Sequence, residues 1–399
     1  MRIGTDPSAA HQQNPACGYA PVIPPAEMAR NPAVSREILR HALGWLHHHS
    51  ASLPPDEQRE LGKKVGIASG LYAAEFPAEY GGWSLPEVYA GELREEAAAS
   101  GLLFSRHILS VHDGPTRLLL EGTPEQRECW LRPLVEGRWT RCLAMTEEQG
   151  GSDLSALRTT ATWTDGRWVL SGRKYMISNA AHADMAIVLA NAVGRGRGGP
   201  TFFAFTTDAS GWKILRRLPG MDEQYHQYEI ELDSVVLSEA AVLGGPGKIG
   251  SATGMATQWL PYGRVNIAAR SVGLSRWALG VARQHAAERV IGSGKLSDKQ
   301  YIREFIVRSH VKIEAARLLV RQAAMALDKG EIGVRQAAVA KLYATESACE
   351  VIDDAMQTLG GRGWLREFGL EQAYREARVS RMVDGASELL KETVFHLLP

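Results

Sequence analysis

The chain has 399 residues, 45 basic against 45 acidic side chains, a formal net charge of +0, and 45% apolar and 23% charged content. Such a length outgrows one simple core and calls for two or three domains. The composition is that of a soluble globular protein, and the balanced charge points away from nucleic acid and membrane surfaces as partners.

Cys17, Cys129, Cys142 and Cys349 lie far apart with no C-x-x-C pair. That speaks against a disulfide framework and a zinc site, and fits a reducing cytoplasm. No apolar run reaches membrane-spanning length. Residues 1–34 are rich in Pro, Ala and polar residues, lack the apolar stretch of a signal peptide, and read as a partly ordered arm.

From Ser35, a possible cap, Ile38, Leu39, Ala42, Leu43 and Leu46 fall on one helical face. His47, His48 and His49 point in different directions on a helix and read as its solvated end. Further helices are expected over 57–73, 86–99 and 106–121, with a breaker loop from Phe76 to Gly82. Thr123-Pro124 opens another, so residues 35–139 read as an all-α domain.

At Thr140 the pattern changes. Residues 159–164 and 167–171 form a hairpin across Asp165-Gly166, and strands follow at 185–189, 202–206, 212–215 and 228–237. Arg195 and Arg197 lie in a Gly-rich loop that suits a phosphate site or, more simply, a solvated hairpin tip. Residues 140–248 therefore read as a β-barrel or sandwich domain. Four helices over 265–290, 300–327, 335–359 and 368–398 read as a C-terminal four-helix bundle over 249–399, with Ala268, Ala269 and Gly273 small enough for close packing. The fold class is α+β.

The stretch Cys142-Leu-Ala-Met-Thr-Glu-Glu-Gln-Gly-Gly-Ser-Asp153 is the chemical focus. An apolar strand opens into a loop with two hydroxyls (Thr146, Ser152), Glu147, Glu148 and adjacent glycines (Gly150, Gly151). Backbone N–H groups and hydroxyls there suit a polar, flat or phosphorylated ligand; the same residues also make an ordinary turn.

Six motifs in order give the chain, from Ser35 onward, a resemblance to the acyl-CoA dehydrogenase family of flavoproteins. They are Phe76-Pro-Ala-Glu-Tyr-Gly-Gly82, Met145-Thr-Glu-Glu-Gln-Gly-Gly-Ser-Asp153, Gly172-Arg-Lys-Tyr-Met-Ile-Ser-Asn179, Arg289 with Gln300, Gln357-Thr-Leu-Gly-Gly-Arg-Gly363 and Tyr374-Arg-Glu-Ala-Arg378. The resemblance implies FAD and a homotetramer or homodimer. It implies that Met145, Thr146, Gly151, Ser152, Met176 and Ser178 bind the flavin and pyrophosphate. It further implies that Arg289, Gln300, Gln357, Gly360 and Gly361 bind the FAD of a neighbouring subunit. Ser152, Arg264 and Gly385 fall among the substrate-binding positions, and an electron-transfer flavoprotein is the implied acceptor.

Removal of an α-proton from a thioester needs a carboxylate in an apolar pocket, where burial raises its pKa. The family's usual glutamate near the C-terminus is matched by Asp384 in Met382-Val-Asp-Gly-Ala-Ser387, and its second location by Gly263. Asp384 is thus the candidate base, its carboxyl about 1.5 Å short of a glutamate's. It reads alternatively as a cap of the last helix, and Glu388 is a weaker candidate. Arg106 stands where the glutaryl-CoA dehydrogenase branch binds a distal carboxylate; it would hold a polar acyl group or pair with Glu95 or Glu96. Met176 replaces a bulky aromatic of many relatives.

The expected activity is dehydrogenation of an acyl-CoA or acyl-carrier-protein thioester with a polar or carboxylated acyl group, in secondary metabolism. The alternative is a flavin oxidase or monooxygenase of the same fold, similar to the nitroalkane oxidases. A flavoprotein with no turnover of its own is a third reading.

Overall fold

A computed structural model describes residues 18–398 apart from 22, 111–112, 154–155 and 222–225. The first 17 residues of the expected arm, with Cys17, lie outside the described residues.

Helix α1 (Pro32–His49) has Pro32 in its first turn and is capped by Asn31, whose side chain accepts from the Ala33 N–H. Ser35 is therefore not the cap; it is buried inside the first turn. His49 stacks on Trp45 at the helix end. Helix α2 (Pro55–Ser69) stops at Gly70, and α3 (Glu87–Ala99) follows the breaker loop. The continuous helix expected over 106–121 does not form. Two 3₁₀ segments, Ser105–Leu109 and Arg117–Glu121, take its place. Ser110 adopts φ +48, and Pro115 two residues beyond Asp113 cannot donate a helical hydrogen bond. Thr123 and Gln126 close a reciprocal capping box.

Seven strands form one mixed sheet: β1 (Arg141–Ala144), β2 (Thr160–Thr164), β3 (Arg167–Ser178), β4 (Met185–Val193), β5 (Gly199–Thr206), β6 (Trp212–Leu218) and β7 (Gln227–Leu237). Their order is β1-β4-β2-β3-β7-β6, with β5 on the other edge of β4. Asp165 and Gly166 both take positive φ in the β2–β3 turn, as the Asp-Gly signal requires. Arg195 pairs with Glu239 and stacks on Trp163, and Arg197 donates to Ile249 O and Gly250 O, so both arginines tie down their own loop.

β4 is buried on both faces. Ala186, Val188, Ala190 and Ala192 join the core within the sheet. Met185, Ile187 and Leu189 face a second core with Tyr72, Phe76, Leu118, Leu134 and Trp259 from the helices. The alternation of side chains along a strand produces this split.

The C-terminal part comprises α4 (Ala252–Glu288), α5 (Gln300–Asp328), α6 (Val334–Leu359), α7 (Leu370–Ser380) and α8 (Ser387–His396). Its core pairs Val265, Ala268, Ala269 and Val272 with Ile313, Ala316, Val320, Ala337 and Ala344. A Cβ at Gly273 would collide with the carbonyl of Glu95, so α3 and α4 touch through backbone. The single helix expected over 368–398 is broken between α7 and α8. There Asp384 (φ +50) and Gly385 (φ +101) leave the right-handed helical region.

Candidate active site

β1 and β2 both run parallel to β4 and share the same edge of it. Ala144 lies opposite Val188 and Thr160 opposite Asn191, so the chain leaves and rejoins the sheet almost at one point. Residues 145–159 are thereby forced out as an excursion at the strand ends. Its anchor is Glu147, which is buried. Its carboxylate accepts from Lys174 Nζ (2.8 Å), Thr159 Oγ1 (2.5 Å), the Thr159 N–H (3.0 Å) and the Arg158 N–H (2.8 Å). Burial opposes its ionisation, but the Lys174, Thr159 and Arg158 hydrogen bonds prevail and bring its pKa down to about 2. Lys174 also donates to Met145 O.

Thr146 is held by its carbonyl, which accepts from the Tyr175 N–H at 2.9 Å. Gly151 packs beside it; a Cβ there would meet Thr146 Cγ2 at 3.7 Å. Ser152 is exposed. Met176 takes φ +58 and is 49% exposed, at an irregularity in the β3–β7 register, with Ser178 two residues on. The loop and β3 therefore bring Met145, Thr146, Gly151, Met176 and Ser178 to one region. The hydroxyls of Thr146 and Ser178 make no hydrogen bond among the described residues.

The second half of the site is the break between α7 and α8. A side chain at Gly263 would collide with Asp384 Oδ2, so the two alternative base positions of the resemblance occupy the same space. Arg264 Nε donates to the Asp384 carbonyl (3.1 Å) and Lys341 Nζ to the Gly385 carbonyl (2.8 Å), clamping the left-handed turn from both sides. The Asp384 side chain itself has no hydrogen-bond donor among the described residues. Desolvation raises its pKa above the ordinary carboxylate value, although Lys341, Arg264 and Arg141 pull the other way. Burial pushes Lys341 down to about 8. Asp384 does not cap α8: that position is Ala386, with no side-chain cap. Glu388 is exposed in the first turn of α8.

Arg106 is buried, and its partner is neither Glu95 nor Glu96. It pairs with Glu376 of α7 at 3.4 Å, and Arg270 binds the same carboxylate. Glu95 instead holds Arg276 and Arg317. Arg106, Ser110, Asn266, Arg270 and Glu376 line a narrow crevice. Gly263, Asn266 and Arg270 share one face of α4, so the crevice residues Asn266 and Arg270 lie about 4.5 Å and about 10 Å along that helix from Gly263.

Arg289, Gln300, Gln357, Gly360 and Gly361 are all exposed. They cluster at one end of the bundle, where Arg289 caps α4, Gln300 starts α5 and Gly360 ends α6. His285 there feels both Arg289 and Arg362, and neither arginine has a carboxylate partner among the described residues. No hydrogen bond or ion pair of the described residues joins this end to the Thr146 loop.

Glu147, Lys174, Lys341 and Arg141 carry much of this geometry without having been singled out. Glu147 and Lys174 each stood inside a recognised motif. Lys341 sits among Ala337, Ala338, Ala340 and Ala344, where a lone lysine is a signal in itself. Arg141 stands one residue before the apolar run from Cys142 to Met145 and begins β1.

The family model described as the N-terminal domain of acyl-CoA dehydrogenase matches residues 26–138, the middle-domain model 142–235 and the C-terminal-domain model 253–396. The chain belongs to the acyl-CoA dehydrogenase family. It is 32% identical over 336 residues to a 3-(aryl)acrylate reductase of Clostridium sporogenes, covering 83% of this chain and 88% of that one. It is 31% identical over 343 residues to the mitochondrial short-chain specific acyl-CoA dehydrogenase of Homo sapiens, covering 84% and 82%. The glutaryl-CoA dehydrogenase structure from Mycobacterium smegmatis superposes with a TM-score of 0.80 at 25% identity, covering 91% and 94%. This acyl-CoA dehydrogenase relative is an FAD-dependent oxidoreductase acting on CH–CH donors. The free hydroxyls of Thr146 and Ser178 and the unpaired Arg289 fit the polar edge and diphosphate of that cofactor. Among the described residues no helix is long and apolar enough to cross a membrane, and no cluster of His, Cys, Asp or Glu is arranged to hold a metal.

Proposed function

We propose that the protein dehydrogenates an acyl thioester, carried on coenzyme A or an acyl carrier protein, with Asp384 as the base. The observation that carries this reading is the contact of Asp384 with Gly263. It leaves one carboxylate where the family resemblance implies two places for a base, and that carboxylate has no donor among the described residues.

Thr146, Ser152, Met176 and Ser178 would hold FAD in one subunit, with Met145 and Gly151 shaping the loop. Arg289, Gln300, Gln357, Gly360 and Gly361 would reach it from a neighbour, which makes the enzyme an oligomer. Bound FAD supplies the two-electron acceptor for the hydride lost from Cβ, and an electron-transfer flavoprotein is the proposed next carrier. Asp384 accepts the proton from Cα as the Cα=Cβ bond forms. Its burial weakens the carboxylate's solvation and raises its basicity toward what this step needs. Arg264 and Lys341 hold the turn that aims it, and Gly385 keeps that turn left-handed.

The test is anaerobic titration of the flavin-loaded protein with acyl-CoA and acyl-carrier-protein thioesters. Bleaching by thioesters is expected, slowed about 10²- to 10⁴-fold in Asp384→Asn with flavin content retained. Inert thioesters alongside bleaching by nitroalkanes would sink the reading.

A further inference from the structure

Arg141, the first residue of β1, is 6% exposed, and its guanidinium makes no hydrogen bond or ion pair among the described residues. Its Nε is fully buried without an acceptor. Strand alternation puts it on the same side as Leu143 and Met145, opposite Cys142 and Ala144, which belong to the core inside the sheet. It therefore faces the seam between the sheet and the helices. Three parts of the chain meet there, since Arg141 interacts electrostatically with Asp113, Tyr72 and Asp384. The Asp113 carbonyl accepts the Arg141 backbone N–H, but no ion pair joins the Asp113 carboxylate to Arg141 among the described residues.

The Tyr72 hydroxyl is a second orphan. It is buried without a hydrogen-bond partner among the described residues, near Ser110, which lines the Arg106 crevice. Burial, reinforced by Asp113, holds its pKa well above the ordinary tyrosine value, so it stays a donor. Among the described residues, four other cations around the seam have acceptors, while Lys63 lies over the Tyr72 ring. Arg264 and Lys341 have backbone carbonyls, and Arg106 and Arg270 have Glu376.

A buried guanidinium without an acceptor is costly, and a planar carboxylate is the group that its fork satisfies best. We propose that Arg141 and Tyr72 form a subsite for a carboxylate on the acyl chain, near the reacting carbons. This rests on the thioester reading above and names the acyl class: one whose carboxylate binds beside Asp384, not at the already compensated Arg106.

The test uses the flavin-loaded full-length protein and the pantetheine thioesters of butyrate, succinate and glutarate. Binding is read anaerobically from the perturbation of the flavin spectrum. At least one carboxylated thioester is expected to bind about tenfold or more tighter than butyrate. Arg141→Gln should collapse that preference, Arg141→Lys should keep part of it, and Tyr72→Phe should weaken it. Thermal melting of the flavin-free protein gives a readout independent of turnover. Arg141→Met should raise the midpoint, because a buried guanidinium with no hydrogen-bond acceptor is replaced by an apolar side chain of similar length. The proposal is overturned if the wild type shows no carboxylate preference, if Arg141→Gln weakens all three thioesters equally or strips the flavin, or if Arg141→Met melts lower. If no thioester perturbs or bleaches the flavin, the dehydrogenase reading falls first and the subsite falls with it.

Discussion

The carboxyl of Asp384 rests on Gly263, so closely that a methyl group at 263 would collide with Oδ2. The base and the bare helix surface opposite it are thus one feature. A residue with a side chain at 263 and the carboxylate at 384 exclude each other in this arrangement.

Gly263→Ala should therefore displace the base. A misplacement of about 1 Å is worth up to about 10²-fold in rate, so flavin reduction should slow by one to two orders of magnitude while flavin content holds. In the Asp384→Gly background, Gly263→Glu should recover part of the lost rate from the opposite side. Stopped-flow reduction of the flavin measures both, and a Gly263→Ala enzyme at wild-type rate would contradict the contact.

The pH dependence follows from the neighbours of Asp384. Burial raises its pKa, so the acid limb of the reduction rate should lie above the ordinary carboxylate range. Lys341 stabilises the carboxylate and lowers the pKa, so Lys341→Met should move that limb to still higher pH. Reduction rates across pH 4–8 give the two limbs; a shift downward in the variant is the contrary result.

Glu147 ties the flavin loop to β3. Its folded pKa, about 2, lies below the ordinary glutamate value of 4.5. Its contribution to stability is therefore complete above pH 4.5 and is lost as the pH falls toward 2. Removing one partner of a buried pair typically costs about 3–5 kcal/mol. Glu147→Gln and Lys174→Met should each lower the melting temperature at pH 7, and Glu147→Gln should flatten the decline in acid. Melting curves across pH test both statements.

The exposed end of the bundle predicts a different outcome. Arg289→Ala removes no side-chain hydrogen bond or ion pair among the described residues, and surface changes of that kind stay within about 0.5 kcal/mol. The variant should melt like the wild type when both are flavin-free, yet retain less FAD. Thr146→Val should lose FAD from the other side of the site. Co-assembly of the two variants should restore FAD to some sites, as measured by flavin absorbance per chain; no restoration would mean that the two sets of residues do not share a site across subunits.

Much of the arrangement was legible because it is written in short-range terms. The Thr123 capping box, the Asp165-Gly166 turn and the small residues of α4 depend on neighbours a few positions away or on one face of a helix. The failures came where a local pattern met a distant constraint. Residues 106–121 have helical periodicity, but Ser110 and the Gly114-Pro115 pair divide them. The last expected helix breaks at Asp384, held open by Arg264 and Lys341, which are 120 and 44 residues from the carbonyls they bind.

By itself the sequence determined the class: the α–β–α succession follows from local periodicity, and six motifs in order carry the resemblance that implies the family and its flavin. The tertiary structure alone decided which charges are spent and which are free. Arg106 reads as a substrate ligand or a partner of Glu95 or Glu96 and is paired with Glu376; Arg141 drew no reading, and its guanidinium has no partner among the described residues. Asp384 could as well have been a helix cap until Gly263 was placed against it. Whether a buried charge finds an acceptor depends on groups brought together from separate elements, and no window of sequence contains that information.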